Sequence, residues 1–238
     1  MVFRFVVASW FSLLAILGPA TTSLRADDFQ PETGYRSLFN GKDFTGWTYY
    51  KANLDGKNES ADKRFQVVDG IIVANEGKGI RDLYTANEFN GNFHLKMEFR
   101  ASLKSDSGVY IRGPQLQVRD FIRRGEHKHL ASVFRNDDWN ELDITVRNNQ
   151  ISTSLNGKAV GPEDALEVTV RDGKPNVVLN GKAVEVTNLQ VTKGPTAVCK
   201  INGVQFDPTY KPGTKGGIGL QAEVGKFEFR HIRIREMP

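Results

Sequence analysis

The fold class follows from one stretch of this 238-residue chain, Phe93-His94-Leu95-Lys96-Met97-Glu98-Phe99-Arg100. Its apolar side chains occupy one parity, and its polar or charged side chains occupy the other. Because successive side chains of a β-strand point to opposite faces of a sheet, this alternation predicts a strand with one face in the core and one toward water or a ligand. No segment of ten or more residues has the pattern of an amphipathic helix, so we expect an all-β protein.

Turn signals on both sides of this strand predict hairpins. Asp69-Gly70 joins two apolar runs, and this dipeptide is a strong signal for a two-residue hairpin. The hexapeptide Leu-Asn-Gly-Lys-Ala-Val occurs at residues 155–160 and again at 179–184, with a weaker copy at 201–204. Each Asn-Gly favours the positive φ angles of a type I′ turn, so we expect three successive hairpins that arose by a local duplication.

The last strand predicts an irregularity. Phe227 and Phe229 share one parity, whereas Ile232 and Ile234 share the other. A continuous strand would place the two pairs on opposite faces of the sheet. One extra residue at 230–231 would return all four side chains to the core, so we expect a β-bulge there. The alternative is a strand that is buried on both faces.

The first 26 residues have the order of a secretory signal: a charged start with Arg4, an apolar run at 5–17, and then small residues. The apolar run is too short to span a bilayer, although a membrane anchor is the alternative interpretation. We expect cleavage after Ala26, no integral membrane segment in residues 27–238, and an exported protein in the periplasm or outside the cell.

The charge of the chain argues against a nucleic-acid partner. Two of the four excess positive charges in the net charge of +4 belong to the signal, at Arg4 and Arg25. The basic clusters at 123–124 and 127–129 lack the interleaved aromatic residues that base stacking requires. We therefore expect no nucleic acid among its partners.

Eight segments together resemble one family. They are residues 37–47, 93–100, 106–112, 115–120, 138–141, 155–157, 217–221 and 229–234. In this order they resemble the 3-keto-disaccharide hydrolase family. The resemblance implies a concanavalin-like jelly-roll sandwich of two antiparallel sheets, and action on glycosides oxidised at the 3-position of a sugar ring. We expect a single such domain at 27–238, with a hairpin-repeat insertion at about 162–212.

The implied reaction needs three groups. A ketone at C3 acidifies the hydrogen on C2, and its removal gives an enolate from which the C1 substituent leaves by β-elimination. Hydration of the double bond completes a net hydrolysis. The site needs a base near C2, a cationic or hydrogen-bonding group near the ketone oxygen, and an acid at the leaving oxygen. We expect a hydrolase or lyase with a small-molecule carbohydrate substrate; the alternative is a non-catalytic carbohydrate-binding jelly-roll module.

Two residues are candidates for catalysis. Asp120 ends the strand of the motif Gln117-Val118-Arg119-Asp120, and it is our first choice for the acid or base. The alternative is a strand-end carboxylate paired with Arg119 or Arg123. Arg112 could stabilise the enolate, or it could bridge the sheets as an ion-pair partner.

Five residues are candidates for substrate binding. Gln115 and Gln117 share a parity and could bind sugar hydroxyls, or they could form an ordinary polar sheet face. Trp139 could stack on a sugar ring, or it could belong to the core. The resemblance adds Asn140 and Asp106. Many family members carry Asn at the position of Asp106 and Glu at that of Gln115.

A metal site is only weakly indicated. His127 and His129 are two residues apart and would point the same way on a strand. No third ligand stands at a recognisable spacing, so a solvated loop is the competing interpretation. The reaction requires no cofactor, and dependence on a divalent metal is left open.

Overall fold

The computed structural model describes residues 29–161, 163–171 and 174–238, so the predicted signal at 1–26 lies outside the described residues. In chain order the strands are β1 (Arg36–Ser37), β2 (Trp47–Tyr49), β3 (Ala52–Asn53), β4 (Phe65–Val68), β5 (Ile71–Ala74), β6 (Arg81–Thr85), β7 (Asn92–Ala101), β8 (Asp106–Ile111), β9 (Gln115–Arg119), β10 (Asn140–Leu155), β11 (Lys158–Ala159), β12 (Leu166–Arg171), β13 (Lys174–Leu179), β14 (Lys182–Val184), β15 (Leu189–Ile201), β16 (Val204–Phe206), β17 (Ile218–Ala222) and β18 (Phe227–Met237). Within these ranges the helical segments are α1 (Phe121–Arg124) and a 3-10 helix at Lys128–Leu130. None of the described helices is long and apolar enough to cross a membrane.

Two antiparallel sheets form the body of the protein. The larger sheet has the order β16-β15-β10-β7-β18-β5-β4, with β1 beside β18 and β11 beside β10. The smaller sheet has the order β3-β2-β6-β17-β8-β9. One core cluster takes buried side chains from both sheets. The prediction of an all-β jelly-roll sandwich is confirmed.

Strand β7 lies near the centre of the larger sheet and has the predicted alternation. Its burial alternates residue by residue along all ten positions. Its five apolar side chains are buried in the core; they are Phe93, Leu95, Met97, Phe99 and Ala101. The polar side chains between them therefore face outward, as the sequence pattern requires.

The predicted β-bulge is present in β18. Arg230 pairs with Glu98 and Arg233 pairs with Lys96, so three steps along β18 match two steps along β7. His231 has a φ of 53°, which marks the extra residue. The bulge returns both apolar pairs to the core, where Phe227, Phe229, Ile232 and Ile234 are at most 1% exposed.

The predicted hairpins are also present. The first turn residue has a φ of 48° to 51° and the glycine a φ of 75° to 84° in the turns Asp69-Gly70, Asn156-Gly157, Asn180-Gly181 and Asn202-Gly203. These turns join β4 to β5, β10 to β11, β13 to β14 and β15 to β16. Two consecutive positive φ angles are the requirement of a type I′ turn, so the dipeptides determine these connections locally.

Each repeat asparagine also clamps a neighbouring strand. The Asn202 backbone N–H donates to Glu141 O at 3.0 Å, and the Asn202 side-chain Oδ1 accepts from Glu141 N at 2.8 Å. Asn180 makes the same two bonds with Ala165, both at 2.9 Å, and Asn156 repeats the pattern in the first copy. The duplicated dipeptide thus extends a ladder by one residue pair in addition to turning the chain.

The expected insertion at 162–212 is divided between two sheets. Strands β12, β13 and β14 form a separate three-stranded sheet. Strands β15 and β16 return to the larger sheet, where β15 pairs with β10 from Leu142↔Ile201 to Leu155↔Leu189. The boundaries of the single domain at 27–238 stay a prediction.

The clamps differ in burial, which gives a matched pair of variants. Asn202 Nδ2 also donates to Val133 O at 2.8 Å and to Asn140 Oδ1 at 2.9 Å, in a half-buried setting. The Asn180 clamp is exposed. Asn202→Ala should lower the free energy of unfolding by about 1–3 kcal/mol more than Asn180→Ala, because only the former leaves buried groups unpaired. Urea denaturation measures both, and equal losses would contradict this assignment.

Candidate active site

The outward face of the smaller sheet collects polar side chains. Tyr84, Gly219, Tyr110 and Gln115 are successive Cα partners across β6, β17, β8 and β9. In the next row Asp82 pairs with Gln221 and Gly108 pairs with Gln117. The apolar residues that alternate with them are buried in the core. We call these eight residues the polar face: Asp82, Tyr84, Gly108, Tyr110, Gln115, Gln117, Gly219 and Gln221.

Two glycines allow the larger side chains to lie across the sheet. A Cβ on Gly219 would stand 2.5 Å from Tyr84 Cε1 and 3.0 Å from Tyr110 Cδ2, closer than side chains can approach. The two tyrosine rings meet above this glycine, with centroids 5.4 Å apart. Gly108 makes the same space for the Gln115 side chain. The polar face is therefore a shaped surface with two aromatic rings at its centre.

A directed chain of hydrogen bonds crosses the polar face. Gln115 Nε2 donates to Gln221 Oε1 at 2.7 Å, and Gln221 Nε2 donates to the Tyr110 hydroxyl at 2.7 Å. Because Tyr110 accepts from Gln221, its own proton is free to donate to another group. The charge of Asp82 is close enough to raise the pKa of Tyr110, so Asp82 is the neighbouring carboxylate on this face.

Two buried oxygens on this face lack a hydrogen-bond partner among the described residues. They are Asp82 Oδ1 and Gln117 Oε1. Burial raises the pKa of Asp82, and the interaction with the Tyr110 hydroxyl offsets part of this rise. Burial, followed by the charge of Asp82, raises the pKa of Tyr84 to about 12. Buried acceptors are rarely left unpaired in proteins, so these two oxygens are suited to receive hydrogen bonds from a ligand.

The size of the polar face suits a disaccharide. Asp82 lies on β6 and Gln117 on β9, with β17 and β8 between them. Three inter-strand spacings separate the two residues by about 14 Å. Tyrosine rings in the centre and hydrogen-bond acceptors toward the ends match a sugar, which has apolar ring faces and hydroxyl edges.

Three of the residues expected from sequence lie on or beside the polar face. Gln115 and Gln117 point outward from β9, as their shared parity predicts. Asp106 lies farther along the same face and is mostly buried. Its Oδ1 accepts from Arg119 Nε at 2.7 Å, and its Oδ2 is 3.2 Å from an Arg124 nitrogen. Asp106 is therefore engaged with two guanidinium groups.

Asp120 lies apart from the polar face. Its side chain has no exposed surface. Its Oδ2 accepts from Lys104 N and from Arg123 Nε, both at 2.6 Å, and Arg123 also pairs with Asp137. Asp120 Oδ1 is buried without a partner among the described residues. A substrate cannot touch this carboxylate in the present conformation, and its catalytic role stays a prediction.

Arg112 is held inside the sandwich. Its guanidinium donates to Phe89 O, to Gly91 O and, at 2.8 Å, to Asn148 Oδ1. The group also stacks 5.0 Å from the centroid of the Phe93 ring. Burial lowers the pKa of Arg112, whose side chain pairs with no carboxylate in the described part of the chain. These contacts tie the turn after β8 to the segment before β7 and to β10, and the enolate-stabilising role stays a prediction.

Trp139 immediately precedes β10 of the larger sheet, and Asn140 is the first residue of that strand. The guanidinium carbons of Arg230 and Arg100 are 3.9 Å and 4.8 Å from the centroid of the Trp139 ring. Asn140 is fully buried and bonds with Arg135 N and Arg135 O, both at 2.8 Å. The fold therefore separates these two residues from Gln115 and Gln117.

The two histidines pack against aromatic residues. The His127 ring stands edge-on to Phe121 at 4.7 Å and lies 5.7 Å from the His129 ring. His129 Nε2 lies 3.1 Å from Gln205 O. The described residues contain no group of three His, Cys, Asp or Glu side chains that could hold a metal ion.

Apart from the two glycines, the sequence patterns overlooked four residues of the polar face. Tyr110 and Gln221 stand inside motifs that carried the family resemblance, but neither was singled out. Asp82 and Tyr84 alternate along β6 with Leu83 and Thr85, which are both buried. The same parity argument that selected Gln115 and Gln117 could have found them. No local signal, however, shows that β6 and β17 lie between β2 and β8.

One variant separates the two interpretations of Asp120. Asp120→Asn weakens a buried charge-assisted hydrogen bond with Arg123, so it should lower the free energy of unfolding by about 1–3 kcal/mol. Thermal melting and turnover of a 3-keto-glycoside, normalised to folded protein, are measured together. A loss of at least about a hundredfold in turnover at an unchanged melting temperature would instead support the catalytic role.

Comparisons with known proteins identify the family. The sequence profile of the 3-keto-alpha-glucoside-1,2-lyase-like domain matches residues 34–162. A 3-keto-disaccharide hydrolase of Bacteroides thetaiotaomicron is 29% identical over 139 residues, which are 51% of this chain. The chain covers only 44% of the length of that relative.

Solved structures give more distant likenesses. A putative glycosyl hydrolase from Parabacteroides distasonis, at 1.70 Å resolution, is 20% identical with a TM-score of 0.46, covering 86% of this chain and 95% of the other. A second putative glycosyl hydrolase from that organism, at 2.00 Å, is 18% identical with a TM-score of 0.43, covering 85% and 99%.

The family profile spans more than half of the chain. The matched region includes five side chains of the polar face: Asp82, Tyr84, Tyr110, Gln115 and Gln117. Gln221 lies outside it, on β17. The sequence resemblance is therefore confirmed, and the chain belongs to the 3-keto-disaccharide hydrolase family, whose domain is described as 3-keto-alpha-glucoside-1,2-lyase-like.

Proposed function

We propose that this protein cleaves 3-keto-glycosides on the polar face, by removal of the C2 proton and β-elimination of the C1 substituent. Hydration of the product then gives net hydrolysis. The observation that carries the proposal is the buried, unpaired Asp82 Oδ1 beside two tyrosine rings and a second unpaired acceptor on Gln117. Family membership supplies the substrate class.

Asp82 is the proposed base. Its raised pKa makes the ionised carboxylate a better proton acceptor than an ordinary aspartate, which suits removal of a weakly acidic C–H proton. Asp82 Oδ1 has no partner among the described residues but is buried, so a substrate must displace the side chains that cover this oxygen before it can take the C2 proton.

The tyrosines are the proposed hydrogen-bond donors. Burial raises the pKa of both Tyr84 and Tyr110, so both hydroxyls stay protonated at neutral pH. When Asp82 takes the C2 proton it loses its charge, and the new negative charge appears on the enolate oxygen. The Tyr110 proton can then turn from Asp82 to the enolate, and Tyr84 is the proposed donor to the leaving oxygen.

The glutamines have different proposed roles. Gln117 offers its free Oε1 to a sugar hydroxyl. Gln115 is already engaged: it donates to Gln221, which in turn donates to Tyr110. A carboxylate at position 115 could not donate this first hydrogen bond. Gln115 therefore acts as a positioning residue for Tyr110 in this proposal.

Solvent deuterium tests the reaction type. The protein is incubated in D2O with methyl 3-keto-α-glucoside and, separately, with the unoxidised methyl α-glucoside. Elimination breaks the C2–H bond, so we expect deuterium at C2 of the released sugar and no cleavage of the parent glycoside. Cleavage with full retention of hydrogen at C2 would rule out this mechanism. Saturable binding of the sugars without any cleavage would favour the carbohydrate-binding alternative.

Asp82→Asn should separate activity from stability. Loss of a positioned base should reduce kcat at least about a hundredfold. Because the folded-state pKa of Asp82 is raised, ionisation at neutral pH opposes folding, and this cost is fully present above the raised pKa. The variant should therefore melt at a slightly higher temperature at pH 7. Asp137→Asn, at an exposed carboxylate outside the polar face, is the matched control and should keep wild-type activity. A variant at Asp82 with near-full activity would remove it from the mechanism.

The pH profile should report the interaction between Asp82 and Tyr110. As the pH falls through the raised pKa of Asp82, the base becomes protonated and kcat/KM should decline. The interaction with the Tyr110 hydroxyl lowers that pKa, so Tyr110→Phe should shift the acid limb to higher pH. Gln66→Leu, on β4 of the other sheet, is the control and should leave the limb in place. An acid limb that moves to lower pH in Tyr110→Phe would contradict the assignment.

A further inference from the structure

The chain leaves its regular pairing with β8 just after β17, at the edge of the polar face. Leu220 is the Cα partner of Val109. The next bridge joins Val224 to Asp106, so four steps on one side match three on the other. The Asp106 N–H donates to Val224 O at 2.8 Å, and the Val224 N–H donates to Asp106 O at 3.2 Å. One extra residue therefore lies between Leu220 and Val224, which makes this segment a β-bulge.

The bulge is confined to the side of β17 that faces β8. On the opposite side, pairing with β6 stays regular through Ala222. Within the bulge the hydroxyl of Ser107, which is fully buried, donates to Gln221 O at 2.7 Å. A side chain thus supplies a hydrogen bond where the backbone ladder is interrupted. Bulges are frequent next to active sites, where they redirect a side chain.

Glu223 is the carboxylate that this bulge carries. Burial raises its pKa most, and the charges of four further side chains also act on that pKa: Asp106, Arg119, Arg124 and Asp82. Asp82 belongs to the polar face, Asp106 lies farther along that face, and Arg119 alternates with a buried residue of β9. The Glu223 carboxylate is therefore close to the outward side chains of β6, β8 and β9.

Glu223 also lies close to the proposed base. Asp82 is the Cα partner of Gln221, and Glu223 is two residues farther along. The Cα atoms of diagonal neighbours of this kind are about 7–8 Å apart. Tyr84 lies in the opposite direction along the sheet, since it pairs with Gly219. A sugar carbon at Asp82 therefore has a tyrosine on one side and the Glu223 carboxylate on the other.

The neighbouring carboxylates are paired, whereas Glu223 is not. Nitrogens of Arg119 lie 2.7 Å from an Asp106 oxygen and 3.2 Å from a Glu126 oxygen. Nitrogens of Arg124 lie 3.2 Å and 3.1 Å from oxygens of the same two residues. Glu223 is half-buried, and it has no hydrogen-bond or ion-pair partner among the described residues. A partly desolvated carboxylate without a partner is suited to accept a proton.

One proton transfer of the proposed reaction has no residue assigned to it. In the hydration step a water oxygen bonds to C1 of the enone, and this water must lose a proton to a base. Asp82 cannot be that base, because it still holds the proton that it took from C2. Tyr84 is the alternative acceptor, but it faces the leaving oxygen. A water that approaches C1 from the other side of Asp82 lies next to Glu223.

We infer that Glu223 is the general base of the hydration step. This inference rests on the proposed function and assigns its second half. Glu223 takes a proton from water as the water oxygen bonds to C1, and the electron pair of the C1–C2 double bond moves to give the enolate at C3. Asp82 then returns its proton to C2, which restores the ketone, and Glu223 passes its proton through solvent to Tyr84. The cycle consumes one water and returns all three side chains to their starting protonation states.

The test supplies the elimination product directly. The 2-hydroxy-3-keto-glycal is incubated with the protein, and its loss is followed by ultraviolet absorbance. Glu223→Gln should lower kcat for this hydration at least about a hundredfold, because a positioned base is lost. Methanol release from methyl 3-keto-α-glucoside in a single turnover should stay near the wild-type rate, because elimination does not use Glu223. Hydration at the wild-type rate in Glu223→Gln would overturn the inference.

Glu126→Gln is the matched control. It makes the same exchange in the same charged cluster, at a carboxylate that is engaged with two guanidinium groups. Hydration by this variant, normalised to folded protein, should match that of the wild type. An equal loss in both variants would show that the charge of the cluster, rather than a base at Glu223, controls hydration, and would also overturn the inference.

The proposed function and this inference fail in different ways. If the wild type hydrates the glycal but does not cleave the 3-keto-glycoside, the proposed function fails, and Glu223→Gln still tests the inference on the glycal. If the wild type cleaves the glycoside but hydrates the glycal no faster than buffer does, the inference is overturned and the elimination stands. Asp82→Asn should lose methanol release, whereas Glu223→Gln should lose hydration alone.

Discussion

The rest of the structure depends on the burial of one face of each sheet in a shared core. Side chains of β7 and β18 from the larger sheet and of β8 and β17 from the smaller one enter the same cluster. Because the side chains of a strand alternate between its two faces, the residues before and after each core residue point to the outer face. The bulge at His231 shows how strongly this constraint acts, since the chain inserts an extra residue to keep Ile232 and Ile234 inside.

The two outer faces created by this constraint have different character. On the larger sheet the polar groups are paired: Glu98 with Arg230 at 2.6 Å and His94 with Asp143 at 2.8 Å, while the Arg230 guanidinium lies over the Trp139 ring. On the smaller sheet the amides and Tyr110 form a directed chain, but Asp82 and Gln117 each keep a buried oxygen without a partner. Paired charges contribute to the fold, whereas unpaired buried acceptors cost stability and suit a ligand.

Burial of the Asp82 carboxylate lowers stability at the proposed site for the sake of chemistry. Burial opposes the ionisation of this carboxylate and so raises its pKa. Its Oδ1 also lacks a hydrogen-bond partner among the described residues, which adds to the cost. A buried carboxylate with a raised pKa is typical of functional sites.

The sequence by itself determined the features that depend on neighbours along the chain: the alternation of β7, the Asn-Gly and Asp-Gly hairpins, the bulge in β18, and the outward direction of Gln115 and Gln117. Only the tertiary structure decided which strands adjoin. Asp82 meets Gln221 because β6 pairs with β17, although the whole middle of the chain separates them. Tertiary packing also buries Asp120 in an ion pair with Arg123, and it places Trp139 against Arg230 of the larger sheet. The face to which a strand side chain points is a local property of the backbone, so it could be predicted from sequence. The order of strands in a sheet follows from packing of the whole core, so the neighbours of each strand could not.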